Sequence, residues 1–498
     1  MMARPLNNNA CGGIPLLFAL YLLQGLPFGL VTGSLPLLIS GGGDGDGGAT
    51  AGGHGNYRGA SYLSIATLPY AFKLLWAPYV DTTFSRRLGR RRSWVIPVNA
   101  VACLLWYELS RCVDSLVIAG SSSGSTSESS SDTAMVSLGA RLFCIVLVMA
   151  IGDVAVDGWA LTVDRHLLSA AALAQTIGMT CGNLITNAGV ICAQSGPCYR
   201  SVLGREVPVP LESFALFACV LHVAATVAVV FLTTESAGGE DEGARAGECR
   251  TPRELLAALW ALRSRKHVQA LLWLLLTSRV AFALTESGTL PSVEFVAAGG
   301  DLSQLAAVIA LQYPVQMALG ALVSIRLRTG SPTSVWLAGH DALLALAIAT
   351  PLVTGIVCAL VGPRGAAGGA AGGWVGAFGL GLVMAATSTV NKALFIAVGT
   401  FFNSISDVDA GGTMVTALNS LSNFGRFMPR LPALWLAGSG VGPLRAAVAV
   451  AAVGVLQRPA VAGWIGLLGR AAPEDWELDA RPMARGGASP LAKLSKFV

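Results

Sequence analysis

Residues 134–163 read AMVSLGARLFCIVLVMAIGDVAVDGWALTV, a long apolar run whose only charges are Arg141, Asp153 and Asp157. A helix that crosses the hydrocarbon core of a bilayer needs about 20 mostly apolar residues, and this stretch exceeds that. Working outward with the same ruler, spans are predicted near 14–39, 61–80, 94–110, 134–163, 170–192 and 211–233. After a polar stretch they recur near 268–290, 303–325, 335–361, 374–400, 411–438 and 443–468. Six and six make twelve. The last is the weakest, because Arg458 and Pro459 interrupt it.

Composition agrees. Of 498 residues, 53% are hydrophobic and 12% charged, about half the charge usual in a soluble chain; mean hydropathy is +0.63. A disordered chain is excluded and a soluble enzyme disfavoured. A net charge of +5 over this length is no basic domain, so nucleic acid is not an expected partner. The expected class is an all-α polytopic membrane protein. No cleavable signal peptide is read in the first residues, and the stretch from Ile14 is long enough to anchor uncleaved.

The connectors set the domain organisation. Residues 1–13 form an N-terminal segment, 14–233 a first six-helix bundle, and 234–267 a linker. Residues 268–468 form a second bundle and 469–498 a tail. Residues 40–55 and 120–132 are Gly- or Ser-rich and too polar to pack. Within the linker, Leu255 to Lys266 is apolar and basic, the pattern of an interfacial helix.

Orientation follows from the basic residues. The loop after the second span carries Arg86, Arg87, Arg90, Arg91 and Arg92. Placing it in the cytosol puts Arg165, the Arg245–Lys266 cluster, Arg326, Arg328 and the tail there as well. The other side keeps Arg58, Arg111, Arg200, Arg205, Arg364 and Arg445. Both termini are therefore expected in the cytosol.

Ionisable side chains at membrane depth are costly and are functional candidates by default. The cations are Lys73, Arg141, Arg279, Lys392, Arg426 and Arg430; the anions are Asp153, Asp157, Glu286 and Asp341. Six against four leaves a basic excess, which suits an anionic solute. Asp153 and Asp157 lie four apart and share one helix face. Pairing with Lys73 or an arginine is the favoured reading for them, and proton carriage the other. Asn183 with Asn187, and Asn419 with Asn423, give two more spans a polar face. Gly25, Gly29 and Gly33, like Gly178 and Gly182, recur every four residues, a spacing that brings helix backbones together. Pro27, Pro69, Pro291 and Pro314 allow kinks or broken helices. Ten cysteines lack paired C-x-x-C spacing. They read as buried, unreactive thiols rather than a metal site. Cys192 and Cys198 flank a predicted loop, where a disulfide is the minority reading.

Several stretches resemble a known family. They are Lys73-Leu74-Leu75-Trp76-Ala77-Pro78 with Asp81 and Arg90-Arg91-Arg92, then Asp153-Val154-Ala155-Val156-Asp157-Gly158-Trp159-Ala160-Leu161-Thr162. Phe402-Asn403-Ser404-Ile405-Ser406-Asp407, Gly411-Gly412-Thr413 and Leu418-Asn419-Ser420-Leu421-Ser422-Asn423-Phe424-Gly425 follow. Together they resemble the acetyl-coenzyme A transporter family of the major facilitator superfamily, over roughly residues 14–290 and 400–438. The resemblance implies a facilitator fold of about twelve helices in the endoplasmic reticulum membrane. It implies transport of acetyl-CoA from cytosol to lumen, where it would supply acetylation reactions. It also implies a cytosolic latch made by Asp81, Arg90 and Arg91. The family's Gly-Gly-Asn-Trp-Pro is here Gly425-Arg426-Phe427-Met428-Pro429, followed by Arg430. The same signatures recur in bacterial muropeptide permeases.

The leading reading is therefore a secondary transporter, not an enzyme, with acetyl-CoA as solute and no cofactor. Lys73, Arg279 and Arg426 would supply charge to phosphates, with Asn183, Asn419, Asn423 and Trp159 lining the path. Asp153, Asp157 and Glu286 would serve coupling or ion pairing. The alternative is another anionic solute, muropeptide-like or nucleotide. A membrane acyltransferase using His340 beside Asp341, or a transport-dead scaffold, is less favoured. A homo-oligomer is compatible with the sequence.

Overall fold

Three glycines, one in the first span and two in the fifth, set how these spans of the N-terminal half meet. In the computed structural model, a Cβ on Gly25 would stand 2.5 Å from the carbonyl oxygen of Met179. One on Gly178 would lie 2.6 Å from that of Phe18, and one on Gly182 2.3 Å from that of Leu22. The first and fifth spans thus touch backbone to backbone, an approach only a missing side chain permits.

The structure describes residues 10–41, 57–85, 87–89, 91–121, 128–160, 168–204, 206–233, 263–327, 330–361, 369–405, 411–472 and 476. In chain order the N-terminal half holds α1 (Ala10–Gly29), α2 (Leu35–Gly41), α3 (Tyr57–Ser64), α4 (Ala77–Thr82), α5 (Arg92–Ser110) and α6 (Val113–Ser121). It continues with α7 (Glu128–Ala160), α8 (Leu168–Leu184), α9 (Val190–Gln194), α10 (Gly196–Leu203) and α11 (Leu211–Leu232). The C-terminal half holds α12 (Lys266–Thr277), α13 (Thr289–Ala297), α14 (Leu302–Leu327), α15 (Pro332–Val361), α16 (Gly369–Ile405), α17 (Gly411–Phe427), α18 (Arg430–Ala437) and α19 (Pro443–Leu468). The described residues contain no strand.

Among the described residues, eight helical stretches are long and apolar enough to cross a membrane: Gly13–Ile39, Ser130–Ala160, Ala174–Gln194, Leu211–Leu232, Leu302–Gly320, Pro332–Val361, Gly373–Phe402 and Pro443–Leu468. The chain is a multi-pass membrane protein. Twelve uninterrupted spans are not what the structure shows. Three of the other four predicted spans are broken helices, and the fourth, near 94–110, is α5. The predicted second span runs as α3, an eleven-residue 3-10 stretch (Ile65–Leu75) containing Pro69, and α4. Such a stretch is far longer than the three or four residues usual for 3-10 geometry. The seventh breaks between α12 and α13, restarting after Gly288 at φ +70°. The eleventh breaks at Met428–Pro429. Pro cannot donate into a helix, and no apolarity count registers where such breaks fall. The weakly predicted last span is one continuous 26-residue helix, with Pro459 inside it.

Two further π-helical turns, Leu30–Ser34 and Ile185–Gly189, face each other across the α1–α8 contact. Single-turn π insertions of this kind tend to mark functional positions. The core divides accordingly. One apolar cluster lies wholly in the N-terminal half around Trp106, Leu138 and Leu142. Another lies wholly in the C-terminal half around Leu274, Phe282 and Phe402. A third crosses between them, joining Leu37, Tyr57 and Ile191 to Leu290, Phe295 and Leu434.

Cys192 and Cys198 form a disulfide, correcting their reading as free thiols. The chain turns at Ser195 in extended geometry, folding α10 back on α9. That brings the two Cα atoms to 5.2 Å, within the range a disulfide needs. The predicted interfacial helix from Leu255 lies, but for its last few residues, outside the described residues, as do most of the linker and tail.

Substituting Gly182→Ala forces a Cβ against backbone, so the expected cost is about 1–3 kcal/mol. Gly463, where a Cβ meets nothing within 4 Å, is the control; Gly463→Ala should hold or raise Tm, since Ala favours helix by about 1 kcal/mol. Thermal melts of the purified variants check the contrast.

Candidate substrate site

Charge at membrane depth gathers into two groups, one in each half. In the N-terminal half, the 3-10 stretch turns the Lys73 side chain toward α7. Its ammonium pairs directly with Asp153 and lies 3.7 Å from Asp157. Lys73 and Asp153 are buried, whereas the Asp157 side chain keeps 41% exposure. Asp157 also accepts hydrogen bonds from Tyr21 Oη at 2.9 Å and Gln175 Nε2 at 3.1 Å. Two carboxylates four residues apart on one face thus share one lysine, as their spacing suggests. The Lys73 ammonium also lies 5.4 Å over the ring of Tyr70.

In the C-terminal half, the break between α12 and α13 folds Glu286 back to Arg279, which donates through Nη2 at 2.5 Å. Arg426, in the last turn of α17, approaches the same Glu286 oxygen at 2.5 Å through Nε. Arg279 also donates to Asn391 Oδ1 on α16 at 2.9 Å. Two arginines therefore hold one carboxylate, with Glu286 almost fully buried and Arg426 keeping 35% exposure. Arg279 and Glu286 come from the broken part of the seventh span, and Arg426 from the last turn of α17, just before the eleventh breaks.

The other predicted residues fall around these groups. Asn423 donates to the carbonyl of Tyr70 at 3.3 Å, and Ser420 beside it accepts from the Leu74 amide at 3.1 Å. Phe72 and Phe424 meet edge to face at 6.0 Å, and Phe28 lies 5.8 Å from Phe427. The α17 face that carries Asn423 therefore closes the two halves against each other at mid-depth. Asn419 is half-buried on the same helix. The carbonyl of Asn183 accepts from Tyr313 Oη at 3.3 Å, and Tyr313 accepts from Asn187, so this polar face also bridges the halves. Trp159 packs, half-buried, against the apolar core of the N-terminal half.

Of the predicted latch, Arg90 and the Asp81 side chain lie outside the described residues. Arg91 is placed, with its guanidinium against Gly158 at the end of α7, next to Asp157.

Two predicted interior charges are not interior. Arg141 is partly exposed and pairs with Glu108 at 3.2 Å. Asp341 accepts from Arg458 through two contacts, at 3.2 and 2.8 Å, and both side chains are more than a third exposed. Sequence depth measures distance along a helix and not which way its face turns. His340 is buried edge-on to Phe282 at 5.3 Å. Tyr21, Gln175 and Asn391 complete the two charged groups, yet none stands out in the sequence. Only its place beside Lys392 could have drawn attention to Asn391.

On the far side of the molecule from the basic loops, Tyr57 donates to Glu294 at 2.8 Å and Thr289 to the Thr32 carbonyl at 3.1 Å, each crossing between the halves. The cavity there, lined by Thr32, Asn187, Ser287 and Thr289, measures about 10 Å³, room for a single water. This part of the interface is closed.

Two helical halves around a central charged interface define a membrane transporter of the major facilitator type. Solved structures agree on that fold. A transporter of the POT family in complex with 5-aminolevulinic acid matches at TM-score 0.57 and 10% identity, covering 92% of this chain and 96% of its own. A D-xylose-proton symporter matches at 0.56 and 13%, covering 90% and 97%. The nucleoside transporter NupG matches at 0.53 and 11%, covering 93% and 100%. Residues 13–247 and 380–439 match the family described as Acetyl-coenzyme A transporter 1, and the chain belongs to that family. The match ends at residue 247, short of the 290 the sequence motifs suggested. An uncharacterized protein of Schizosaccharomyces pombe is 28% identical over 87% of this chain and 76% of its own. An uncharacterized membrane protein of Saccharomyces cerevisiae is 26% identical over 84% and 81%.

Removing one partner of a buried ion pair leaves the other uncompensated, at about 3–5 kcal/mol. Lys73→Met is therefore expected to lower Tm strongly. The double change Lys73→Met with Asp153→Asn should recover most of that loss, which a double-mutant cycle in thermal unfolding measures.

Proposed function

We propose that this protein carries acetyl-CoA across the endoplasmic reticulum membrane from cytosol to lumen, supplying acetylation reactions there. Membership of the acetyl-coenzyme A transporter family supports the reading. The observation that carries it is the Arg279–Glu286–Arg426 group, a cationic centre at mid-depth where two broken spans meet. Phosphates are held best by arginine forks, and a carboxylate shared by two arginines leaves one positive charge unbalanced.

The exposure of Arg426 gives an arriving anion a side chain to meet first, and Glu286 keeps both guanidiniums in place until it does. The cysteine pair supports the orientation: Cys192–Cys198 lies on the side that the arginine count places away from the cytosol. Disulfides persist in an oxidising compartment. The contacts of Tyr57, Thr289 and Tyr313 close that same side. Both those contacts and the ones between α17 and the 3-10 stretch are made in this structure, so transport requires each set to part in turn while the other holds, the rocking of one half on the other that facilitators use.

Uptake of labelled acetyl-CoA into proteoliposomes tests the reading. The wild type should accumulate label. Arg279→Gln and Arg426→Gln should each reduce initial uptake by about tenfold or more, corresponding to about 1.4 kcal/mol of lost interaction. Folded protein that moves muropeptides or nucleotides but leaves acetyl-CoA outside would sink it.

A further inference from the structure

The two breaks beside the Arg279–Glu286–Arg426 group each carry a second residue, and those two residues also meet. Three positions after Glu286, Thr289 opens α13; four positions after Arg426, Arg430 opens α18. The Arg430 Nη2 donates to Thr289 Oγ1 at 3.0 Å. The seventh and eleventh spans are thus joined twice across their breaks, by Arg426 on Glu286 at 2.5 Å and by Arg430 on Thr289. The first joint belongs to the candidate site. The second leads into the N-terminal half, because Thr289 Oγ1 donates onward to the Thr32 carbonyl at 3.1 Å. Thr32 lies in the π-helical turn Leu30–Ser34.

The protons at Thr289 can be arranged in one way only. A hydroxyl has one proton to give and two lone pairs with which to accept. The Thr32 carbonyl can only accept and the Arg430 guanidinium can only donate, so the proton goes to Thr32 and Arg430 takes a lone pair. Ser287 Oγ, 2.9 Å away, fills the other as a donor. A cation bonded to the oxygen makes its O–H a stronger donor. Arg430 therefore strengthens a bond between the halves that it does not itself touch. It is buried, yet its Nε has no hydrogen-bond partner, so the guanidinium is not fully tied down where it stands. The effect reaches along α13. Glu294, which accepts from Tyr57 across the halves, lies on that helix, as do Leu290 and Phe295 of the crossing apolar cluster.

We propose that Arg430 is a positioning residue that couples solute arrival to opening of the side away from the cytosol, acting through Thr289. An anion that draws Arg426 from Glu286 releases the first joint. The two breaks then shift, Arg430 leaves Thr289, and the bond from Thr289 to Thr32 weakens. This rests on the reading that acetyl-CoA enters the site from the cytosol.

Ser292→Cys supplies a reporter, since Ser292 is buried and lines the small closed cavity with Thr32 and Thr289. Maleimide labelling of that position in the purified full-length protein is read by peptide mass. In the otherwise unchanged chain it should be slow without solute and rise severalfold with acetyl-CoA. Arg430→Gln should label about tenfold faster without solute, the worth of one hydrogen bond to a charged group, and acetyl-CoA should add little. Arg430→Lys keeps a charged donor and should return much of the solute dependence. Thr289→Val should have less effect in the Arg430→Gln background than alone, because both changes act on one bond. If Arg430→Gln loses its melting transition, Thr289→Val against Thr289→Ser carries the test, and only the first should lose solute dependence. A folded Arg430→Gln that labels slowly and keeps the full response to acetyl-CoA overturns the coupling. So do additive effects of Arg430→Gln and Thr289→Val, or an unchanged labelling rate when acetyl-CoA raises the Tm of the reporter chain. If acetyl-CoA changes neither Tm nor labelling, the acetyl-CoA reading falls instead. The solute-free contrast with Arg430→Gln then still decides whether Arg430 holds the bond between the halves.

Discussion

One carboxylate, Glu286, held between two arginines in a low-dielectric interior, is the constraint around which the C-terminal half is built. Charges at membrane depth are tolerated only where partners or a water-lined path receive them. The seventh span breaks and folds back where Glu286 meets Arg279, and Arg426 comes from the last turn of α17, just before the eleventh breaks. Irregular backbone inside a membrane survives only where protein buries it. The cluster and the broken helices therefore sit together. The N-terminal half meets the same constraint differently, by unwinding the second span into 3-10 geometry that lets Lys73 reach Asp153.

The packing that supports these groups is of another kind. Lipid offers no hydrophobic drive for helices to associate, so close backbone approach does that work. Gly25, Gly178 and Gly182 make α1 and α8 one rigid unit. The aromatic contacts of Phe28 and Phe72 with α17, and the tyrosine contacts of Tyr57 and Tyr313, cross between the halves. They stand beside an apolar cluster that also crosses, joining Leu37, Tyr57 and Ile191 to Leu290, Phe295 and Leu434. The halves thus keep separate apolar cores of their own and meet through a mixed interface.

Much of this was legible in the chain. The four-residue glycine repeats marked the α1–α8 contact, the Asp153–Asp157 spacing marked a shared face, and the motifs marked the family. Arg426 and Glu286 were both picked out as candidates, but nothing in their spacing said they would share one oxygen. Arg141 and Asp341 had the same depth along their helices as interior residues, yet their faces turn outward to Glu108 and Arg458. Tyr21 and Gln175 carry no signal, and Asn391 only its place beside Lys392, because a single polar residue in an apolar span has many uses.

Length and apolarity thus determined that the chain lives in a membrane as a helical bundle, since the thickness of the bilayer sets a ruler that sequence can be read against. The glycine and proline positions determined where helices could touch or yield. Only the tertiary structure decided which charges neutralise one another and which are left over, because that depends on helix rotation and on breaks that bring distant spans together. From that pairing comes the surplus of positive charge in the C-terminal half, the property most tied to what the protein carries.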